Sequence, residues 1–192
     1  MTVGALAAAL RGRVAQRVAY DGFAEAAVLV LLRVDDEDTP LDIARLLFTL
    51  RREELRTHAG QISFPGGRRD PEDADLVATA LREADEELAL PRDRVEVLGV
   101  LDDVPTPSGY VITPVVGVVR GTVALTPQAS EVAEVMEHTL RDLREPARYR
   151  DAGPVEWHGV RYQLHEYHMP GARIWGATAR MVHQLLELGG LK

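Results

Sequence analysis

The sequence predicts an α/β fold in which helices cover both faces of a mixed central sheet. Three observations lead there. Residues 26–34 (AAVLVLLRV) and 45–50 (RLLFTL) are short, nearly continuous apolar runs, as strands buried on two faces require. Val77, Leu81, Ala84 and Leu88 recur at the helical period and form one apolar stripe. Strand-like and helix-like segments then alternate along the rest of the chain.

Taken in order, the start reads as an amphipathic helix over about residues 3–18. It is apolar and alanine-rich but has no leading positive charge, so it does not read as a signal peptide. Residues 35–42 are polar, contain Pro40 and read as a loop. Asp70-Pro71-Glu72-Asp73 has the composition of a helix start, and Pro91 stops that helix. Residues 95–104 and 111–120 read as strands around the turn Pro105-Thr106-Pro107-Ser108-Gly109. Residues 131–143 fit strand and helix equally. Residues 160–168 read as a strand with His165 and His168 on one side, which lacks a third metal ligand nearby. Residues 175–188 read as a closing helix with Ala179, Val182, Leu185 and Leu186 on one side. That helix suits a core or an interface, which leaves a homodimer open. No repeat or linker interrupts the chain, so one domain over 1–192 is expected.

Composition narrows the function. At 46% hydrophobic and 27% charged residues, the sequence is that of an ordinary globular protein. A net charge of −8 speaks against nucleic-acid or anionic-membrane partners. The absence of cysteine excludes disulfides, thiolate catalysis and thiolate metal sites. No apolar run reaches the roughly 18–20 residues that span a bilayer, and a cytoplasmic address is expected.

The most informative stretch is Arg82-Glu83-Ala84-Asp85-Glu86-Glu87. On a helix, Glu83, Glu86 and Glu87 stand at i, i+3 and i+4 and project to one side, off the apolar stripe. Like charges at that spacing repel by about 0.2–0.5 kcal/mol per pair, so helix stability does not explain them. Carboxylate oxygens are what a hard divalent cation takes, which points to Mg2+ or Mn2+ and to an anionic small-molecule substrate. Arg82 lies one turn before Glu86 and can pair with it. Upstream, Gly66 and Gly67 in Phe64-Pro65-Gly66-Gly67 let backbone approach a substrate closely. Strand, glycine turn and acidic helix face together suit hydrolysis of a diphosphate, which needs charge neutralisation and a positioned water.

Gly67, Arg82, Glu83, Glu86 and Glu87 resemble the Nudix box, here about residues 67–90. The box runs glycine, five residues, glutamate, seven residues, then Arg-Glu-x-x-Glu-Glu-x-Gly. Counted from Gly67 the first glutamate falls on Asp73, with Arg82 one residue too far on; counted back from Arg82 it falls on Ala74. Asp70, Asp73 and Asp75 are the candidates to brace Arg82 in its place, and Ala89 replaces the final glycine. Leu47-Phe48-Thr49, Arg56, Gly60 and Phe64-Pro65-Gly66-Gly67 further resemble the signature of the coenzyme A pyrophosphatase branch of the Nudix hydrolases. Leu55-Arg56-Thr57-His58-Ala59-Gly60-Gln61 and Trp175-Gly176-Ala177-Thr178 are similar to that branch too.

The resemblance implies the αβα Nudix sandwich. It also implies metal-dependent cleavage of coenzyme A, with acyl or oxidised derivatives open, to 3′,5′-ADP and 4′-phosphopantetheine. Arg82, Glu83, Glu86 and Glu87 become the expected catalytic set, with the three glutamates as metal ligands and Glu86 or Glu83 as the water-activating base. Arg51, Arg56, Gly60, Gln61, Gly66 and Gly67 become the expected substrate-binding set. Arg56 is singled out because the branch pattern fixes it and arginine reads phosphate with paired donors. Arg52, Arg68 and Arg69 read as neighbouring charge, His58 as a packed or substrate-facing histidine, and Glu131 or Glu134 as distal acids. Two other readings stay open: a sister hydrolase acting on ADP-ribose or an oxidised nucleotide, and a non-catalytic Nudix-fold binding module.

Overall fold

The computed structural model describes residues 1–36, 38–52 and 60–191. Four helices are described: α1 (Val3–Arg11), α2 (Leu76–Leu88), the single-turn α3 (Leu140–Leu143) and α4 (Gly176–Leu188). The larger sheet holds β1 (Ala24–Val34), β2 (Arg45–Arg51), β3 (Ile62–Ser63), β4 (Gly66–Arg68), β5 (Glu96–Val100), β6 (Val104–Thr106), β7 (Tyr110–Arg120) and β8 (Val132–Thr139). A smaller antiparallel sheet holds β9 (Tyr149–Trp157), β10 (Val160–Met169) and β11 (Ala172–Ile174).

At the centre, β1 and β7 run parallel along their whole length, from Ala24 opposite Tyr110 to Val34 opposite Arg120. On its other edge β1 changes partner: its far end pairs with β2 through Leu32 and Leu46, and its near end pairs with β4 through Ala27 and Gly67. The fork between β2 and β4 brings the Gly66-Gly67 backbone against β1. β2 carries β8 on its outer side and β3 on its inner side.

The apolar runs are buried on two faces, as a continuous hydrophobic strand implies. Val30, Leu32 and Val34 of β1 pack into one core with α1 and α4. Ala27, Leu29 and Leu31 pack into a second core with Ala80, Ala84 and Leu88 of α2. Helices on both faces of a mixed sheet are the layered architecture expected. α4 buries Ala179, Val182, Leu185 and Leu186 as its period predicts. Trp175, by contrast, is the residue before the helix and is 43% exposed.

Several boundaries differ from the sequence reading, each for a local reason. α1 ends at Arg11 because Gly12 follows, and the segment beyond leaves the helix to bond across the sheet. Arg13 pairs with Asp102, and Arg17 Nη1 lies 2.6 Å from Asp103. The run 95–104 splits into β5 and β6 around residues 101–103, where buried Asp103 accepts hydrogen bonds from the Val18 N–H and the Thr113 hydroxyl. Residues 131–143 contain both structures, β8 and then α3, capped by the Thr139 hydroxyl on the Asp142 N–H. β9 is a strand the sequence reading does not include; it contains Gly153 and Pro154, and its place at a sheet edge tolerates proline. His165 and His168 fall on opposite sides of β10, since three is an odd spacing in a strand; His165 is buried and His168 exposed.

α2 begins at Leu76, not at residue 70. Asp75 is its cap, accepting from the Ala78 N–H at 2.8 Å. The buried face of α2 is Thr79, Ala80, Ala84, Glu87 and Leu88, while Val77 and Leu81 are only partly buried at its margin. Small alanines at 80 and 84 let the helix approach β1 closely. Glu87 thus sits on the buried stripe rather than off it.

The helix ends on Ala89, which takes the left-handed conformation (φ 51°, ψ 38°) and donates its N–H to the Asp85 carbonyl at 2.8 Å. Glycine adopts that geometry freely, whereas alanine is strained by its Cβ. Ala89→Gly is therefore expected to stabilise the protein by about 1 kcal/mol in urea denaturation. A destabilised variant would contradict this account of the cap.

Candidate active site

Arg82 is the hub of the site. Its Nε and Nη2 each lie 3.0 Å from one oxygen of Asp73, a two-pronged pair. Nη1 donates to Glu83 at 2.9 Å and to Glu86 at 3.1 Å, and Nη2 also reaches the Arg68 carbonyl at 3.1 Å. One guanidinium thus ties the loop before α2, the helix face and the end of β4 together. Of the three aspartates considered as its brace, Asp73 holds it; Asp75 caps the helix and Asp70 accepts from the Glu72 N–H.

Asp73 also accepts from the Asp70 N–H and the Thr79 hydroxyl, both at 2.9 Å. The Arg82 hydrogen bonds are the largest of several effects that hold its carboxyl well below the usual range, and Asp73 in turn raises the Arg82 guanidinium. This pair stays ionised at any working pH. Thr79 was not anticipated from sequence; its signal is a hydroxyl on the buried face of the first helical turn.

The three glutamates occupy distinct environments. Glu86 is 55% exposed, Glu83 is 17% exposed and Glu87 is buried. Burial raises Glu83 against the opposing pull of Arg82. Burial pushes Glu87 up to about 8, assisted by the charges of Glu83 and Glu131 and opposed by Arg51 and a hydrogen bond from the Gly66 backbone. Glu131, at the approach to β8, therefore acts electrostatically on both inner glutamates. Glu134 does not join them: it stands opposite Leu50 and lines a cavity with Ile62, Met136 and Trp175.

Gly67 is required by proximity. A Cβ there would lie 2.5 Å from Glu83 Cδ, so the missing side chain is the space the Glu83 carboxylate uses. A Cβ on Gly66 would meet Val28 Cα at 2.6 Å. Both glycines lie in a strand, and their room is taken by the protein's own atoms rather than left open.

Arg51 brings its Nη1 to 3.9 Å from Glu87. Gly60 and Gln61 close the connection back to β2: the Arg51 N–H donates to the Gln61 carbonyl at 3.0 Å, and the Gly60 N–H to the Arg51 carbonyl at 3.2 Å. Arg82, Glu83, Glu86, Glu87, Gly66, Gly67 and Arg51 are thus brought together, with Gly60 and Gln61 beside Arg51. Arg56 and His58 lie outside the described residues. Arg69 pairs with Glu25 at 2.8 Å, away from the acids.

The donor set fits a hard divalent cation by its chemistry. It offers only oxygens, and Glu87 is a buried carboxyl whose ion-pair partner among the described residues, Arg51, is beyond hydrogen-bond length. Among the described residues no three such groups already converge on one point, because Arg82 holds Glu83 and Glu86 to itself.

The Glu87 shift has a testable sign. A carboxyl raised to about 8 in the folded state and near 4.5 when unfolded adds stability that is present below pH 4.5 and lost as pH rises through about 8. His138, lowered mainly by burial, acts in the opposite sense below its ordinary range, so the comparison of variants isolates Glu87. The melting temperature of metal-free protein should fall more steeply between pH 5 and 8 in wild type than in Glu87→Gln. Parallel curves would refute the buried-carboxyl account.

The residues 24–158 match the NUDIX domain family model. The Nudix hydrolase NudL of Photorhabdus laumondii, described as uncharacterized, is 39% identical over 142 residues, 74% of this chain and 75% of that protein. Its namesake from Yersinia pestis strain Pestoides F is 38% identical over 162 residues, 84% of this chain and 78% of that one. The crystal structure of the M. smegmatis Nudix hydrolase RenU aligns at a TM-score of 0.50 and 22% identity over 62% of this chain and 73% of its own, a likeness of fold. With the family model spanning most of the sequence, and with Gly67, Arg82 and their carboxylates assembled at one end of the second core, the chain belongs to the Nudix hydrolase family.

Proposed function

We propose that this protein hydrolyses the diphosphate of coenzyme A, giving 3′,5′-ADP and 4′-phosphopantetheine with Mg2+ or Mn2+ bound by Glu83, Glu86 and Glu87. The observation that supports hydrolysis is the Arg82 hub, which braces Glu83 and Glu86 against Asp73 and the glycine strand. A structural salt bridge would be complete with Asp73 alone. The extra pairing of Arg82 with two further acids orients carboxylates that repel one another, at a cost that a binding-only scaffold has no reason to bear.

A divalent cation, when bound, neutralises phosphate oxygens and lowers the pKa of a bound water. The chain's own residues do the rest. Asp73 fixes the Arg82 plane, and Arg82 fixes the two glutamates on the helix face. Glu86, the most exposed of the three, is suited to take the proton from the attacking water. Oxygen from water adds to one phosphorus, the bridging anhydride bond breaks, and the displaced phosphate leaves on the other half. Arg51 and the Gly60–Gln61 connection, beside Glu87, are assigned to binding the anionic substrate.

Coenzyme A as the substrate is supported by the resemblance of the Arg56, Gly60 and Phe64 spacing, and of the Phe64-Pro65-Gly66-Gly67 segment, to the coenzyme A pyrophosphatase branch. Arginine at position 56 supplies paired donors for the 3′-phosphate that distinguishes coenzyme A from its dephospho form.

Glu83→Gln and Glu86→Gln should each lower turnover by about 100-fold or more with the melting temperature retained. Near-normal rates in both would remove the metal role. Chromatography of the products from coenzyme A and Mg2+ tests the substrate directly. Arg56→Ala should reduce kcat/KM for coenzyme A about tenfold more than for dephospho-coenzyme A; equal losses would show that Arg56 does not read the 3′-phosphate.

A further inference from the structure

Arg51 is held in an unfinished state. It is the last residue of β2, and its side chain lies on the α2 side of the sheet, 25% exposed. Among the described residues its ion-pair partner is buried Glu87, yet Nη1 stops at 3.9 Å from Oε1, inside Coulomb range and outside hydrogen-bond length. Its Nε is buried and donates to no acceptor among the described residues. A guanidinium with a buried idle donor is costly unless another state of the protein uses it. Glu87 has the complementary shortfall: among the described residues it has a hydrogen bond from the Gly66 backbone and a cation held beyond hydrogen-bond length. Glu131 and Glu83 add negative potential at the same spot, and Arg51 opposes them.

We propose that Arg51 is a placeholder cation: its guanidinium stands against Glu87 while no metal is bound, and a divalent ion at Glu87 displaces it to the substrate's diphosphate. The inference rests on the metal role given above for Glu83, Glu86 and Glu87, and adds to it an order of events. Metal and Arg51 compete for Glu87, whereas metal and Arg51 cooperate on the anion. Arg51 is in this account a substrate-binding residue whose contact becomes available only after metal binds.

The test is Mn2+ binding to the metal-free protein, read from the electron paramagnetic resonance signal of free Mn2+, so that no turnover is needed. Arg51→Met keeps the length of the side chain and removes its charge. It should bind Mn2+ about three- to fivefold more tightly than wild type, the range set by loss of one partly exposed charge contact. Arg51→Lys keeps a point charge and should stay near the wild-type dissociation constant, which a purely structural role for Arg51 would not produce. With methylene diphosphonate as the anion, added Mn2+ should raise affinity more in wild type than in Arg51→Met. Equal or weaker Mn2+ binding by Arg51→Met, with wild type binding normally, overturns the placeholder role alone. No Mn2+ bound by wild type overturns it together with the metal reading.

Discussion

Everything at the acidic end of the molecule is organised by one guanidinium. Arg82 reaches Asp73, Glu83, Glu86 and the Arg68 carbonyl at once, and these belong to a loop, a helix and a strand. Remove that cation and Glu83 and Glu86 lose the donor that fixes their directions. The surrounding structure is built to keep Arg82 still. Asp73 meets it with both oxygens, and the Thr79 hydroxyl and Asp70 amide hold Asp73 in turn. The alanines of α2 bring this assembly down onto β1, and Gly67 leaves the gap into which Glu83 fits.

The arrangement separates three glutamates of identical chemistry by environment alone. Glu86 faces solvent, Glu83 leans on Arg82, and Glu87 is buried with its proton retained into the neutral range. Pushing the affinities of like groups apart is how a site assigns different tasks to the same side chain. It also explains why the acidic face is tolerated: the charges are never all present at full strength in the same medium.

Much of this was legible in the residues. The two-faced burial of β1 and the helical period of α4 follow from hydrophobic patterning, and the acidic helix face announces itself by its repulsive spacing. What the sequence could not reveal was tertiary. Three aspartates near the helix start were equivalent candidates for Arg82, and only the fold shows that Asp73 takes it while Asp75 caps the helix. The burial of Glu87 contradicts its polarity, because the depth of α2 is set by Ala80 and Ala84 rather than by Glu87 itself. β9 contains a glycine and a proline, which weaken a strand pattern but are tolerated at a sheet edge.

The parallel pairing of β1 with β7 has a consequence for how the protein comes into being. Ala24 and Tyr110 are far apart in the chain, and all of α2 lies between them. The β1 surface on which α2 rests is flanked by β7, which is made later. During synthesis the acidic segment therefore emerges well before its seat is complete, and closure of that long loop is an entropic barrier to be crossed first. Until then the segment lacks the packing that sets the directions of its side chains, so the ordered acidic face is a late feature in the maturation of the chain.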